Sequence, residues 1–145
     1  MTKPQSIDTT FARRCIQTLE RALGQIGQHR GTDEFLYDVY RAACVKEFEL
    51  VLEQSGKLLR KRLAGFFASN RQADRLAFKD LFRHAAKHGL MEPEAVERWL
   101  NYRDNRNDTA HDYGEGFAEA TLELLPSFVA DAKALADMIQ AATDG

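Results

Sequence analysis

Residues 42–63 read AACVKEFELVLEQSGKLLRKRL, and their apolar side chains recur every three or four positions, as on one face of an α-helix. The same period extends from Asp33 to about Ser69, which predicts one helix of about ten turns. A helix this long in a small chain needs a partner helix along its length. The stretch therefore predicts a helical bundle. The predicted inward stripe is Val45, Phe48, Leu52, Ser55, Leu59, Leu63 and Phe66.

Four further helices are predicted on either side of this stretch. The first follows the capping residues Asp8, Thr9 and Thr10, carries Phe11 inward and ends before Gly31. The polar segment 69–75 predicts a loop. A short helix then runs from Phe78 to Gly89, another begins at Pro93, and the last follows Gly114, with a kink expected at Pro126. The predicted fold is all-α, an antiparallel four-helix-type bundle with an additional short helix.

Composition limits the domain count and the class of partner. The 145 residues fit one domain, 1–145, with residues 1–8 as a flexible N-terminus. A net charge of −2 and a pI of about 6.1 argue against binding DNA through overall positive charge, so any RNA contact must be local. Without a signal-like or membrane-spanning apolar run, we expect a cytoplasmic protein. Cys15 and Cys44 lie among apolar helical neighbours and are predicted to be core thiols.

Two arginines follow the apolar stripe of the helix that begins at Pro93. Continuing from Trp99 at helical spacing leads to Arg103 and then to Arg106. A guanidinium on a buried face needs a carboxylate or a phosphate. Glu49 lies in the stripe of the long helix, so we predict that it pairs with Arg103 or Arg106. If Arg103 takes this structural role, Arg106 is free to meet an anion.

Arg106 and His111 suit the cleavage of a phosphodiester. Imidazole takes or gives a proton near neutral pH, and arginine stabilises the charge on the phosphorane, with no metal or cofactor required. Asn107 would hold the histidine tautomer or donate to phosphate, and Tyr113 adds a hydroxyl. The residues alone also fit a simpler alternative, in which Arg106 and His111 are cations at a helix C-terminus.

The string RNDTAHDY, residues 106–113, matches the R-x4-H-x-Y motif of the HEPN superfamily. The segments at 42–63, 78–91 and 99–113 resemble successive parts of the nucleotidyltransferase substrate-binding protein family within that superfamily, from about Phe11 to Ile139. This resemblance implies a homodimeric bundle that partners a minimal nucleotidyltransferase as a toxin with its antitoxin. It also implies a metal-independent endoribonuclease with Arg106 and His111 as the catalytic pair, Asn107 as polar support and Tyr113 as the adenylylation site that silences it.

Two other functions remain open at this point. Members of the family were named for presenting substrate to the nucleotidyltransferase, so the chain fits a non-catalytic adaptor as well. A purely structural helical dimer is the third reading. The adaptor predicts complex formation without RNA cleavage, and the structural dimer predicts that Tyr113 receives no adenylyl group.

Other polar clusters are weaker candidates. His84 and His88 are spaced to share a metal, but no third ligand is evident, and Asp104, Asp108 and Asp112 are separated by a predicted helix end, so no metal site is predicted. Basic residues form one run at 57–62 and a second ridge at Lys79, Arg83 and Lys87. Such runs are usually solvated, although either could guide RNA through phosphate contacts.

Overall fold

The computed structural model describes residues 7–109 and 115–144, without the side chains of 70, 107–109, 115, 117 and 142–144. All regular elements in this part of the chain are helical, which confirms that the fold is all-α. They are α1 (Thr10–His29), α2 (Glu34–Leu63), a 3-10 turn (Ala64–Phe66), α3 (Asn70–Asp74), α4 (Phe78–Lys87), α5 (Pro93–Thr109) and α6 (Glu115–Asp144). None of the described helices combines the length and the apolarity needed to cross a lipid bilayer.

Helix α2 is the centre of the bundle, because it packs against each of the other five helices. It runs parallel to α6, as shown by contacts of Tyr37 with Glu119 and of Phe48 with Phe128. Helix α1 runs antiparallel to α6, with ion pairs near both ends. Helix α5 is antiparallel to α6 and contacts α2 through its last turns. The last turns of α5 thereby lie against the middle of α2 and the first turns of α6.

Local signals explain most helix boundaries. The side chain of Asp33 accepts a hydrogen bond from the amide of Leu36 and caps α2. Gly31 and Gly89 adopt the left-handed conformation that follows helices α1 and α4. Helix α5 begins at Pro93, as predicted. Because these residues mark where helices begin and end, the order of the helices can be predicted from the sequence.

Several sequence predictions are wrong in detail. Helix α2 ends at Leu63 rather than near Ser69, and the 3-10 turn follows it. The predicted loop 69–75 contains the short helix α3, because the hydroxyl of Ser69 accepts from the amide of Gln72 and caps it. Phe11 and Phe66 are exposed rather than inward. Both residues stand at an end of their predicted apolar stripes. The helical period alone does not show which residues at the end of a stripe face solvent.

Five aromatic rings fill the core where α2, α4, α5 and α6 meet. Their centroids lie 4.7 to 5.6 Å apart in edge-to-face and stacked pairs, distances at which aromatic rings attract. All five side chains are fully buried. This cluster fixes α5, and with it the turns that carry the two arginines. The rings belong to Phe48, Phe82, Trp99, Tyr102 and Phe128.

Both cysteines are buried, free thiols, which confirms their prediction as core residues. Burial raises the pKa of Cys44 from 9.0 to about 11. A raised pKa means that the folded protein holds the Cys44 proton more tightly than the unfolded chain does. The resulting contribution to the free energy of unfolding is complete below pH 9 and is lost as pH rises to about 11. We expect the free energy of unfolding to fall by roughly 2 kcal/mol over this window.

The measurement is urea unfolding at a series of alkaline pH values. The Cys44→Ala variant should lose less stability between pH 9 and 11 than the wild type, although it is less stable at neutral pH. Identical pH dependence in the two proteins would contradict the prediction.

Candidate functional site

The last turns of α5 carry Arg106 against α2. Its Nε lies 3.6 Å from Oε1 of Glu49, and the two side chains are 34% and 26% exposed. The predicted pairing of Glu49 with one of the two arginines is therefore confirmed, with Arg106 as the partner. No hydrogen bond joins the two NH2 groups of Arg106 to another described residue. The Nε edge of the guanidinium is thus held by an ion pair to Glu49.

Arg103 does not pair with Glu49, and the proposed division of roles between the two arginines is corrected accordingly. The guanidinium carbon of Arg103 lies 5.1 Å from the centroid of the Phe78 ring on α4. This distance is within the range of a cation–π contact. Arg106 follows Tyr102 by one helical turn on the buried side of α5, whereas Arg103 faces α4. The buried stripe runs through Tyr102, so Arg106 is nearer to Glu49.

The start of α6 is tied to α2 by a charged cluster around Glu119. Its carboxylate accepts hydrogen bonds from the Tyr37 hydroxyl, at 2.5 Å, and from Arg41, at 3.2 Å. Arg30 also approaches it at 3.4 Å. The hydrogen bond from Tyr37 lowers the pKa of Glu119, and burial together with that bond raises the pKa of Tyr37. Glu119 therefore remains ionised and fixes the first turns of α6.

A hydrogen bond also links α5 directly to α6 beside Arg106. The Nδ2 of Asn105 donates to Oγ1 of Thr121 at 3.0 Å, and Thr121 is fully buried. The end of α5 and the beginning of α6 are thus anchored on both sides of residues 110–114. His111 and Tyr113 lie in this segment, which is outside the described residues. The side chain of Asn107, in the last turn of α5, is also outside the described part. Their predicted roles stay predictions.

Sequence reasoning missed a buried polar network on the other half of α5. Asp131 of α6 accepts two hydrogen bonds from Arg98, both at 2.9 Å, and one from the Tyr102 hydroxyl at 2.6 Å. Burial and this last bond raise the pKa of Tyr102 to about 12, and the hydrogen bond with Asp131 raises the pKa of Arg98. An aspartate within the apolar face of α6 was the signal in the sequence. The network holds α5 in place along α6.

We expect Asp131→Asn to lower the free energy of unfolding by roughly 2 kcal/mol, because it removes the charge that Arg98 and Tyr102 share in a buried position. Urea unfolding measures the change. Asp137→Asn is the matched control on the same helix, since Asp137 is exposed and pairs with Arg13 on the surface. Equal losses of unfolding free energy in the two variants would show that the buried network stabilises the fold no more than a surface ion pair does.

Other sequence candidates have structural partners. His88 stacks on Phe66 with centroids 4.2 Å apart, and His84 meets the edge of Phe67. Among the described residues, no group of three or more His, Cys, Asp or Glu side chains is placed to hold a metal ion. Grooves of about 590 and 450 Å³ open against α6, and neither is lined by Arg106. The candidate site is the anchored junction of α2, α5 and α6.

Comparison with known proteins identifies the family. The sequence pattern of the family described as "Nucleotidyltransferase substrate binding protein like" matches residues 9–141. This chain belongs to that family. The match spans nearly the whole chain, including α5 and the motif, and confirms the resemblance drawn from the sequence segments.

Two relatives from Haemophilus influenzae are similar to this family member. One, named "Probable ribonuclease HepT", is 27% identical over 126 residues, which cover 85% of each chain. The other is a solved structure, described as revealing the fold of a substrate binding domain of a nucleotidyltransferase. It has a TM-score of 0.80 and 24% identity over 92% of this chain and 99% of its own. At that identity the structural likeness concerns the fold.

Proposed function

We propose that this chain is the HEPN subunit of a two-component toxin–antitoxin system and that it cleaves RNA without a metal ion. The observation that carries the proposal is the half-buried Arg106, held by Glu49 at the first position of a complete R-x4-H-x-Y motif. A relative named as a probable ribonuclease supports the same activity.

The proposed reaction is attack by the ribose 2′-oxygen on the adjacent phosphorus. His111 takes the proton from the 2′-hydroxyl or gives one to the leaving 5′-oxygen. Arg106 stabilises the negative charge that develops on the phosphorane oxygens. The P–O5′ bond breaks, and the products carry a 2′,3′-cyclic phosphate and a 5′-hydroxyl. Asn107 is proposed as the polar support of this pair.

An apolar stripe on α2 supports the proposed homodimer. Phe35 is 75% exposed and Val39 is 45% exposed. They share a helical face with Ala42, Lys46 and Glu49, because these positions alternate by four and three residues. A two-fold contact across this face would cover the apolar side chains and bring two copies of Arg106 towards one groove. We propose that the active site is shared between two protomers in this way.

The partner in this proposal is a minimal nucleotidyltransferase, which silences the ribonuclease by transferring AMP to Tyr113. The family description supports a nucleotidyltransferase as partner. A bulky, negatively charged adenylyl group two residues after His111 would block the approach of RNA phosphate. Incubation with a minimal nucleotidyltransferase and ATP, followed by mass spectrometry of the peptide containing Tyr113, tests this step. A Tyr113→Phe variant should receive no AMP.

A non-catalytic adaptor is the second candidate function. It is favoured by the solved relative described as a substrate binding domain of a nucleotidyltransferase. Incubating purified protein with single-stranded RNA in EDTA separates the two functions. The ribonuclease yields fragments ending in a cyclic phosphate, whereas the adaptor binds the nucleotidyltransferase and leaves RNA intact.

A further inference from the structure

Arg103 is unusual among the basic side chains close to Arg106. Lys79 pairs with Asp104 at 2.6 Å, and Arg83 pairs with Asp80 at 3.0 Å. No carboxylate among the described side chains forms an ion pair with Arg103, since Glu49 is taken by Arg106. The second basic ridge is thus largely neutralised by neighbouring aspartates. Within the described part of the chain, the charge of Arg103 is therefore without an ion-pair partner.

The position of Arg103 is built by three helices. Its guanidinium lies over the Phe78 ring of α4, and that ring packs closely on Gly56 of α2. A Cβ at Gly56 would lie 3.0 Å from Cδ2 and Cε2 of Phe78, closer than side chains normally approach. Glycine inside a helix costs about 1 kcal/mol relative to alanine. The close approach of Phe78, which forms the platform for Arg103, accounts for glycine at this position.

Two of the four basic residues in the run 57–62 have polar partners within the fold. Nη1 of Arg60 donates to the carbonyl oxygens of Ala73 and Leu76 and closes the end of α3. Arg62 lies over the Phe66 ring, and Lys57 pairs with Glu53. Arg103 lies one helical turn before Arg106 on α5, and no ion pair to it is found among the described side chains.

We propose that Arg103 binds the RNA phosphate next to the one that Arg106 engages, and so sets the position of the strand in the site. Residues three apart on a helix have Cβ atoms roughly 5–6 Å apart, so both guanidinium groups can reach neighbouring phosphates of one strand. A cation–π contact with Phe78 uses none of the hydrogen-bond donors of the guanidinium, so its N–H groups can bind a phosphate oxygen. The inference rests on the proposed ribonuclease function and assigns Arg103 to substrate binding.

Binding of a single-stranded RNA oligonucleotide to the His111→Ala protein tests this inference. Fluorescence anisotropy at several salt concentrations gives the affinity and its salt dependence. Arg103→Gln in this background should weaken binding roughly fivefold at 0.1 M salt and reduce the slope of log K against log salt by about 0.7, the loss of one phosphate contact. Arg103→Lys keeps the charge and should retain most of the slope. Arg83→Gln, with the same charge change on a paired arginine, should leave both quantities nearly unchanged.

The outcomes separate this inference from the ribonuclease proposal. Three results would overturn the phosphate contact. The Arg103→Gln variant could bind RNA as tightly as its His111→Ala parent, the Arg83→Gln variant could lose as much affinity as Arg103→Gln, or the parent could fail to bind RNA. Cleavage is assayed separately with intact His111. A wild type that binds RNA through Arg103 without cutting it would overturn the ribonuclease and leave the contact standing. Circular dichroism of each variant confirms that the compared proteins are folded.

Discussion

Replacing His111 by alanine is expected to lower the rate of RNA cleavage by about 10²–10⁴-fold, the usual contribution of a general acid–base group. The imidazole is the one group in the motif that exchanges a proton near neutral pH, so neither Arg106 nor Tyr113 can replace it. Initial rates with a fluorogenic single-stranded RNA in EDTA provide the measurement. Circular dichroism of the variant checks that the compared proteins are folded.

His29→Ala is the matched control for this experiment. His29 ends α1 and stacks on Tyr40 with ring centroids 5.4 Å apart, so its loss removes an imidazole without touching the motif. The control should cut RNA at nearly the wild-type rate. Wild-type cleavage by His111→Ala, or equal losses in both variants, would disprove the catalytic role of His111.

The order of the helices could be predicted because each has local signals. Asp33, Gly31, Gly89 and Pro93 mark boundaries through their own backbone chemistry, and the apolar period marks the faces between them. Helix α3 could not be found in this way. Its polar segment carries no apolar stripe, and it is stabilised by the Ser69 cap and by Arg60 of another helix. Such long-range support is invisible to local patterns.

Of the predicted site, the described residues test one contact, that of Glu49. The sequence predicted that Glu49 pairs with Arg103 or Arg106, and the structure shows the pair with Arg106. It assigned the free role to Arg106 and the paired role to Arg103, because the stripe was traced through Trp99 and Leu100. The structure traces it through Trp99 and Tyr102, where the Tyr102 hydroxyl is satisfied by Asp131. A buried tyrosine was not distinguishable from a surface one without its partner.

The second large effect is expected at Arg106. Arg106→Ala should reduce RNA cleavage by about 10²–10³-fold, because charge on the phosphorane loses its stabilising cation. Glu49 acts on the reaction only by holding Arg106 at 3.6 Å, so Glu49→Gln should lower kcat by about tenfold with a small change in KM. The double variant should be no slower than Arg106→Ala alone, since Glu49 has nothing left to position.

Glu53→Gln is the matched control, one turn further along α2. Glu53 is exposed and pairs with Lys57 at 3.2 Å, so the same substitution removes a surface ion pair away from the motif. This variant should keep wild-type kcat and KM. Additive losses in the Glu49–Arg106 double variant would show that the two side chains act independently. The ion pair between Glu49 and Arg106 is partly exposed, so Glu49→Gln should change the free energy of unfolding in urea only a little. A large fall in that free energy would assign Glu49 to folding rather than to positioning Arg106.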